Sequence, residues 1–401
     1  MKALGEFLKM MGVWALILLG VLLFLEVVFR FWRHDVEPLA QITQKHVDVL
    51  FTPDSVMRSV SSIPGEFDYT AHINHFGYRG RDFVVPKLPG VARVFAVGDS
   101  FTFGVGSPDD QTFAALIEKQ LRDRGLSVEV INAGIGSTSP ATQLLNVKNI
   151  HLKYQPDAVV FFFDMTDLWD DWYAERHAVR DRDGDILRFD PMIVDGKRDW
   201  WLTLTNYSSF CKFFHNKVVR SIRKMRVLGM GQYMKTALSG ARAKAVIAGL
   251  DDEKAKSSLM EYDALLLMRG REREALIRQH WARTAANLVK MRDMLASRHI
   301  PLVIVMYPHG LYVGGDQWTE GRKTWGFEAG KKYTDYLPFE LMKELTDREH
   351  IPFINTLDAF LAAPHEKYFF DWDGHMTTAG NRIVASIVAQ APELLGAIGK
   401  K

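Results

Sequence analysis

A serine that could act as a nucleophile follows the first of several short apolar runs. The run 91–97 reads V-A-R-V-F-A-V and predicts a buried strand, and Gly98-Asp99-Ser100 then forms the turn into the next segment. A serine in such a turn places its hydroxyl at the carboxyl edge of a sheet, where the start of a helix offers free N–H groups to an oxyanion. The tripeptide alone is also typical of an ordinary turn or helix N-cap, so its chemistry depends on partners elsewhere.

A histidine and two aspartates near the carboxyl terminus could supply those partners. A serine becomes reactive when a base removes its proton and a carboxylate orients that base. His375 precedes the last predicted helix, with Asp373 two residues upstream and Asp371 four residues upstream. Either carboxylate could accept a hydrogen bond from the imidazole, which leaves the choice between them open. The alternative is a loop whose Asp and His side chains only cap the helix.

Three further loops follow predicted strands. In N-A-G-I-G-S-T, Gly134 could bring a backbone N–H to an oxyanion. In F-F-F-D-M-T-D-L-W-D-D, no histidine accompanies the carboxylates, so a solvated acidic loop is favoured over a metal site. The carboxylates of this loop are Asp164, Asp167, Asp170 and Asp171. His309, in Y-P-H-G, could contact a substrate or lie at the surface.

The apolar runs predict the elements that position these loops. Runs rich in Val, Ile and Phe are typical of strands buried on both faces, and they lie at 91–97, 127–132, 157–163, 301–307 and 351–355. Helical spacing of apolar residues is found at 112–124, 281–298 and 378–395, and Thr377 or Thr378 is the expected N-cap of the last helix. This alternation predicts an α/β fold with a parallel sheet of about five strands, with ligands beyond the carboxyl ends of the strands.

A long insertion separates the third and fourth predicted strands, which are about 137 residues apart. Asp183-Gly184 predicts a hairpin turn there, whereas Asp181, Asp183 and Asp185 could bind calcium, although the later Glu of an EF-hand is missing. Further on, 212–244 contains nine Lys or Arg and no Asp or Glu, with apolar residues at helical spacing. Such a basic amphipathic helix could pack on its own domain, lie on anionic lipid, or bind an acidic glycan or partner protein.

An apolar segment near the amino terminus predicts a membrane anchor. Residues 10–29 carry one charge, Glu26, and are long enough as a helix to cross a hydrocarbon core. A cleaved signal peptide is the alternative, but bulky and charged residues follow the span. Basic residues flank both ends, so the expected orientation rests on the usual translocation of a large domain after one span. We predict a single-pass protein of the cell inner membrane with its domain on the periplasmic side.

The composition of the chain limits which classes of protein and which covalent cross-links need to be considered. The 401 residues carry 50 Lys or Arg against 48 Asp or Glu, and this net charge of +2 gives no reason to expect nucleic-acid binding. The single cysteine, Cys211, forbids an intramolecular disulfide. We predict an anchor at 1–34, a lead-in segment at 35–90, an α/β domain at 91–168 and 281–401, and an insertion with a hairpin and basic helices at 169–280.

Four of these loops, in this order, resemble the motif blocks of the SGNH, or GDSL-type, hydrolase superfamily. The first block is matched by G-D-S-F-T-F-G at 98–104 and the second by N-A-G at 132–134. In the last block Asp373 stands two residues before His375 rather than the usual three, a variant similar to that of exported polysaccharide acetylation proteins. The third block departs from the family pattern Gly-x-Asn-Asp, because Thr166 stands where the family has an Asn donor. Since losing one oxyanion donor can cost on the order of 10²–10³ in rate, this departure predicts either low activity or a donor from elsewhere in the chain.

The resemblance implies a flavodoxin-like three-layer α/β sandwich and acyl transfer without a cofactor or metal. Ser100 would attack an ester carbonyl, His375 would take its proton, and Asp373 would orient His375. The oxyanion would be held by the N–H groups of Ser100 and Gly134 and by the Thr166 hydroxyl. Three further side chains at this edge could contact substrate: His309, Asp99 and Asp167.

The substrate implied by the resemblance is an acylated glycan or lipid of the cell envelope, with a membrane acyltransferase as a partner. Hydrolysis by an esterase and transfer by an O-acyltransferase of exopolysaccharide or cell wall both stay open, because they differ only in the acceptor. A non-catalytic glycan-binding or assembly protein is the third interpretation. Thr166 favours it, and the presence of Ser100, Asp373 and His375 opposes it.

Overall fold

The computed structural model describes residues 2–32, 50–61, 63–208, 210–211, 264–363 and 366–399. The predicted basic helix at 212–244 lies outside these residues, as does the start of the lead-in segment at 35–49. The first helix is α1 (Lys2–Trp32). An antiparallel hairpin of β1 (Val56–Val60) and β2 (Asp68–His72) follows in the lead-in segment, where no periodicity in the sequence indicates it.

Strands and helices alternate on both sides of the insertion. The first part of the domain contains β3 (Ala92–Gly98), α2 (Ser100–Phe103), α3 (Phe113–Asp123), β4 (Val128–Gly134), α4 (Pro140–Asn149) and β5 (Ala158–Phe163). The described part of the insertion contains α5 (Asp167–Arg176), β6 (Ala178–Arg180), β7 (Ile186–Phe189), β8 (Ile193–Val194), β9 (Lys197–Arg198) and α6 (Trp200–Tyr207). The domain resumes with α7 (Glu274–Ala296), β10 (Leu302–Met306), α8 (Gly310–Val313), α9 (Leu337–Glu349), β11 (Phe353–Asn355), α10 (Leu357–Ala362), α11 (Thr378–Gln390) and α12 (Pro392–Ile398).

The predicted parallel sheet is confirmed. The strands lie side by side in the order β11-β10-β5-β3-β4, and every neighbouring pair is parallel. Both β5 and β10 are buried along their whole length, as expected for runs of Val, Ile and Phe in a sheet covered on both faces. One group of helices contains α4, α5 and α7, and another contains α3 and α11. These layers make the flavodoxin-like sandwich.

The last predicted helix is divided in two. It reaches Gln390 as α11, and α12 begins at Pro392. Proline lacks an N–H and its ring crowds the preceding turn, so it ends one helix and suits the first turn of the next. Thr377 is the N-cap of α11, because its hydroxyl accepts a hydrogen bond from the Gly380 N–H.

The predicted hairpin of the insertion is formed by β6 and β7. Gly184 in its turn has a φ of +85°, a conformation that favours glycine. Asp181 Oδ1 accepts hydrogen bonds from the N–H groups of Asp183 and Asp185, both at 2.9 Å, and Asp185 pairs with Lys290 Nζ at 2.5 Å. These carboxylates close a turn and hold an ion pair, which argues against the calcium alternative.

Two glycines let α2 lie directly on the carboxyl ends of the central strands. Gly98 and Gly134 are register partners at the ends of β3 and β4. A Cβ at Gly134 would lie 2.1 Å from the backbone nitrogen of Phe103, and one at Gly98 would lie 2.2 Å from Thr102 Oγ1 and 2.8 Å from Phe162 O. Any larger residue at either position would displace α2 from the sheet edge.

We expect Gly134→Ala to lower the free energy of unfolding by about 1–3 kcal/mol, because overpacking a close contact forces the backbone to shift. Gly136→Ala is the matched control, since its Cβ would meet only Ser100 Cβ, at 3.8 Å, an ordinary van der Waals distance. Chemical denaturation of the full chain in detergent, followed by tryptophan fluorescence, measures both variants. Equal stabilities for the two variants would contradict the packing argument.

Candidate active site

Ser100, His375 and Asp373 form one hydrogen-bonded line at the carboxyl edge of the sheet. Ser100 is the first residue of α2, and its Oγ lies 2.8 Å from His375 Nε2. His375 Nδ1 contacts Asp373 Oδ1, which also accepts a hydrogen bond from the His375 backbone N–H at 3.3 Å. The side chains of His375 and Asp373 are 20% and 21% exposed, so solvent reaches both. The structure therefore joins a hydroxyl, an imidazole and a carboxylate from distant parts of the chain.

Contacts at both ends of α2 fix the position of Ser100. At the start, the Asp99 side chain accepts a hydrogen bond from the Phe101 N–H at 2.9 Å and caps the helix. At the other end, the buried guanidinium of Arg79 donates to the carbonyls of Phe103 and Gly104 at 2.8 and 2.9 Å. Arg79 lies in the lead-in segment, and no pattern in the sequence singles it out.

Asp371 does not face His375. Its Oδ1 accepts hydrogen bonds from Thr319 Oγ1 at 2.8 Å and from Lys367 Nζ at 2.9 Å. Partial burial opposes the charge on Asp371, but the hydrogen bonds from Lys367 and Thr319 outweigh it and lower the pKa of this carboxyl. Of the two aspartates that the sequence leaves open, the structure therefore places Asp373 on the imidazole.

Gly134 does not offer its N–H to the site, and this expectation from the sequence is corrected. Gly134 still belongs to β4, and its N–H donates to Asn132 Oδ1 at 3.0 Å. The chain passes beside Ser100 two residues later, where a Cβ at Gly136 would lie 3.8 Å from Ser100 Cβ. Ser137 follows with a φ of +59°, and no described residue accepts a hydrogen bond from the N–H of Gly136 or Ser137. The second glycine of N-A-G-I-G is therefore the one beside the serine.

The expectation that the Thr166 hydroxyl donates to the oxyanion is also corrected. Its hydroxyl donates to Asp164 Oδ1 at 2.6 Å, and its N–H donates to the same oxygen at 2.8 Å. A hydroxyl has one proton, so this hydrogen bond leaves none for an oxyanion. The cause is Asp164 itself, which stands where the family pattern Gly-x-Asn-Asp has glycine.

The three predicted substrate contacts are buried instead. Asp99, Asp167 and His309 are 2%, 0% and 5% exposed, so the expectation that they meet substrate is wrong for this structure. His309 turns inward because its Nε2 contacts Asp164 Oδ2 at 2.8 Å and its ring packs on Phe101 with centroids 5.0 Å apart. Asp99 turns inward as the cap of α2.

The loop after β5 is a buried acidic cluster, not the solvated loop that its sequence favours. Asp164, Asp167 and Asp171 are each at most 1% exposed. Burial raises the pKa of Asp167, and the charges of Asp99 and Asp164 raise it further. Burial also opposes the charge on Asp164, but the charge and hydrogen bond of His309 outweigh it and lower the pKa of this carboxyl. A carboxyl with a lowered pKa, Asp164, therefore lies beside one with a raised pKa, Asp167.

Asp170 and Asp171 complete the cluster. Asp171 accepts hydrogen bonds from the Ala141 N–H of α4 at 2.7 Å and from Asn287 Nδ2 of α7 at 3.1 Å, so it joins two helices. Burial raises the pKa of Asp171 to about 6. Burial and the charges of Asp164 and Asp171 raise the pKa of Asp170 to about 7. Asp171 therefore has a packing role, because it holds α4 and α7 to this loop.

Residues 96–383 match the profile of the GDSL-like lipase/acylhydrolase family. The match covers more than half of the chain and includes Ser100, His375 and Asp373. The chain belongs to the GDSL-like lipase/acylhydrolase family. It is therefore a serine hydrolase of the GDSL, or SGNH, type, as the order of the motif blocks predicts.

Several solved structures are similar to this GDSL-like hydrolase at low sequence identity. TesA is 13% identical with a TM-score of 0.36, and the match covers 76% of this chain and 99% of that chain. The lipase/acylhydrolase from Enterococcus faecalis is 12% identical with a TM-score of 0.36, covering 75% of this chain and 94% of that chain. The acetyl xylan esterase AlAXEase is 14% identical with a TM-score of 0.35, covering 73% and 96%. A search of curated protein sequences gives no match.

We expect Thr166→Val to lower kcat/KM for a small ester by less than about tenfold, because the Thr166 hydroxyl is held by Asp164. A true oxyanion donor would cost on the order of 10²–10³ on removal. Initial rates with p-nitrophenyl acetate measure the change, and Thr166→Ser, which keeps the hydroxyl, is the control. A loss of the larger size in the valine variant alone would restore Thr166 as a donor.

We expect Asp170→Asn to be more stabilising, or less destabilising, at pH 8 than at pH 5. The folded-state pKa of Asp170 is raised to about 7. The stabilisation from its protonated form is therefore complete below about pH 4, is still large at pH 5, and is lost once the pH has risen through about 7. The difference in free energy of unfolding between variant and wild type should therefore change by about 1–3 kcal/mol between these pH values.

Denaturant titrations at pH 5 and pH 8 measure the effect of Asp170→Asn. Asp123→Asn is the control, since Asp123 is exposed and pairs with Lys119 at 2.6 Å on the surface of α3. A difference for Asp170→Asn that is the same at both pH values would contradict the assignment.

Proposed function

We propose that this protein hydrolyses ester-linked acyl groups through Ser100, His375 and Asp373. The observation that carries the proposal is the 2.8 Å contact of Ser100 Oγ with His375 Nε2, with Asp373 at the other ring nitrogen. When His375 Nδ1–H donates a hydrogen bond to Asp373, Nε2 carries the lone pair that can accept the serine proton. Membership of the GDSL-like family supports the same chemistry.

Each step of the reaction uses a group beside Ser100. As Ser100 Oγ bonds to the ester carbon, its proton passes to His375 Nε2 and the carbonyl oxygen becomes an oxyanion. The N–H groups of Ser100, Gly136 and Ser137 hold this oxyanion. The ester C–O bond then breaks, and His375 gives its proton to the leaving alcohol. Water attacks the acyl-serine with His375 again as the base, which releases the acid and restores the hydroxyl of Ser100.

An O-acyltransferase of exopolysaccharide or cell wall would use the same acyl-serine. The two activities differ only in whether water or a sugar hydroxyl attacks this intermediate. About a fifth of the His375 side chain is exposed, so water can reach the base directly.

We further propose that α1 anchors the enzyme in the cell inner membrane as a single span, with the α/β domain on the periplasmic side. Within the part of the chain that the structure describes, Lys9–Val28 is the segment long and apolar enough to cross a bilayer, and none of it is buried. A carboxylate in lipid is costly unless it has partners. Glu26 has them, because it accepts hydrogen bonds from Ser208 Oγ at 2.8 Å and from the Phe210 N–H at 3.1 Å.

An anchored esterase acts on substrates that lie close to the membrane. On this basis we propose an acylated glycan or lipid of the cell envelope as the substrate and a membrane acyltransferase as a partner. A non-catalytic role in glycan binding or assembly is the alternative from another class. The hydrogen-bonded line of Ser100, His375 and Asp373 argues against it, since a binding protein has no need of this geometry.

A serine-reactive fluorophosphonate tests the proposal on the full chain in detergent. We expect the wild type to be labelled and Ser100→Ala and His375→Ala to lose labelling, because the reagent needs an activated serine. Asp373→Asn should be labelled at least about tenfold more slowly, since the imidazole loses its orienting carboxylate. Asp371→Asn is the matched control and should resemble the wild type, because Asp371 contacts Thr319 and Lys367 instead.

Two results would contradict this assignment. An unlabelled wild type would favour the non-catalytic alternative. Undiminished labelling of Ser100→Ala would place the reactive serine elsewhere in the chain.

A further inference from the structure

One carboxylate of the lead-in segment contacts the loop that carries Asp373 and His375. Glu66 lies between β1 and β2, and its Oε1 accepts hydrogen bonds from the N–H groups of Trp372 at 2.7 Å and Asp373 at 2.9 Å. Its Oε2 accepts a hydrogen bond from the hydroxyl of the buried Ser61 at 2.7 Å. Both oxygens of Glu66 are therefore engaged, one by the loop and one by its own hairpin.

The contact acts on the backbone that sets the direction of the Asp373 side chain. Hydrogen bonds from N–H groups to a carboxylate are shorter and stronger than those between neutral groups. Two such bonds to one oxygen restrain two successive peptide planes of a loop that has no regular secondary structure. The second of these N–H groups belongs to Asp373, whose carboxylate extends from the same residue to His375 Nδ1.

Aromatic packing joins the same two segments. Phe67, which follows Glu66, packs on Phe370 of the loop with ring centroids 5.2 Å apart and on Tyr69 of β2 with centroids 5.8 Å apart. The hairpin therefore touches the loop through a polar contact and an apolar one. The apolar contact can keep the hairpin in place when the polar contact is removed.

We propose that Glu66 is a positioning residue, which holds Asp373 and through it His375 in the geometry that activates Ser100. This inference rests on the proposed function. Glu66 touches no reacting atom, so its effect is on the rate of the chemical step and not on the binding of a small ester.

Two substitutions separate positioning from a merely structural role. Glu66→Ala removes both acceptors, and we expect kcat for p-nitrophenyl acetate to fall by about 10-fold to 100-fold with KM almost unchanged, because a small misplacement of a catalytic group has effects of this size. Glu66→Gln keeps an oxygen that can accept both N–H groups, while its amide faces a Ser61 hydroxyl that can turn to accept. We expect this variant to remain within about threefold of the wild type.

Asp68→Ala is the matched control. It removes a carboxylate from the same hairpin, and among the residues that the structure describes Asp68 forms its ion pair with the exposed Arg58, at 2.6 Å, on the surface of the molecule. Its kcat should equal that of the wild type. Fluorophosphonate labelling rates and melting temperatures of the full chain in detergent accompany each measurement.

The outcomes are distinct. Loss of kcat in Glu66→Ala with recovery in Glu66→Gln supports the inference. A wild-type kcat in Glu66→Ala overturns the positioning role of Glu66 and leaves the proposed function standing. The same conclusion follows if both Glu66 variants lose kcat and melting temperature to the same extent, because the role of Glu66 is then merely structural. A wild-type protein that is neither labelled nor active overturns the proposed function and this inference together.

Discussion

The close approach of α2 to the ends of β3 and β4 determines where Ser100 stands. The parallel register places Gly98 opposite Gly134, and the absence of side chains there lets the backbone of α2 rest on the strand ends. A helix of four residues has too few internal hydrogen bonds to hold its own shape. Its position is therefore imposed from outside, by the sheet below it and by Asp99 and Arg79 at its two ends.

The lead-in segment belongs to the site as much as the sheet does. Arg79 holds the carbonyl end of α2, and Glu66 holds the loop of Asp373 and His375. Ser100 follows the first strand of the central sheet, and Asp373 and His375 follow the last, so these residues are far apart in the chain. The lead-in segment contacts both α2, which carries Ser100, and the loop that carries His375. It can therefore keep Ser100 Oγ and His375 Nε2 in contact, since a shift of either element changes the distance between these two atoms directly.

The sequence predicts what local periodicity and burial decide. Apolar runs identify the five parallel strands, and strand ends place Ser100 at the correct edge, because both follow from residues near each other in the chain. The errors concern hydrogen-bond partners chosen by tertiary contacts. Gly134 and Gly136 differ by two positions at the end of β4, a difference that a pattern cannot resolve. Glu66 lies about 300 residues from Trp372, and nothing in its own neighbourhood indicates that contact.

In the third family block, Asp164 in place of the family glycine changes the hydrogen bonds of the residues around it. With Asp164 in the position of the family glycine, a buried carboxylate needs partners, since a buried ion pair is stable only when its remaining oxygens are also hydrogen-bonded. His309 satisfies Oδ2, and both the N–H and the hydroxyl of Thr166 satisfy Oδ1. Thr166 is thus committed to Asp164 and lost to the oxyanion. Phe101 connects His309 to the active site, because its ring packs on that of His309 with centroids 5.0 Å apart and on that of His375 with centroids 4.6 Å apart. We interpret the buried pair as a rigid support beneath the imidazole, in a site that leaves the oxyanion to backbone N–H groups.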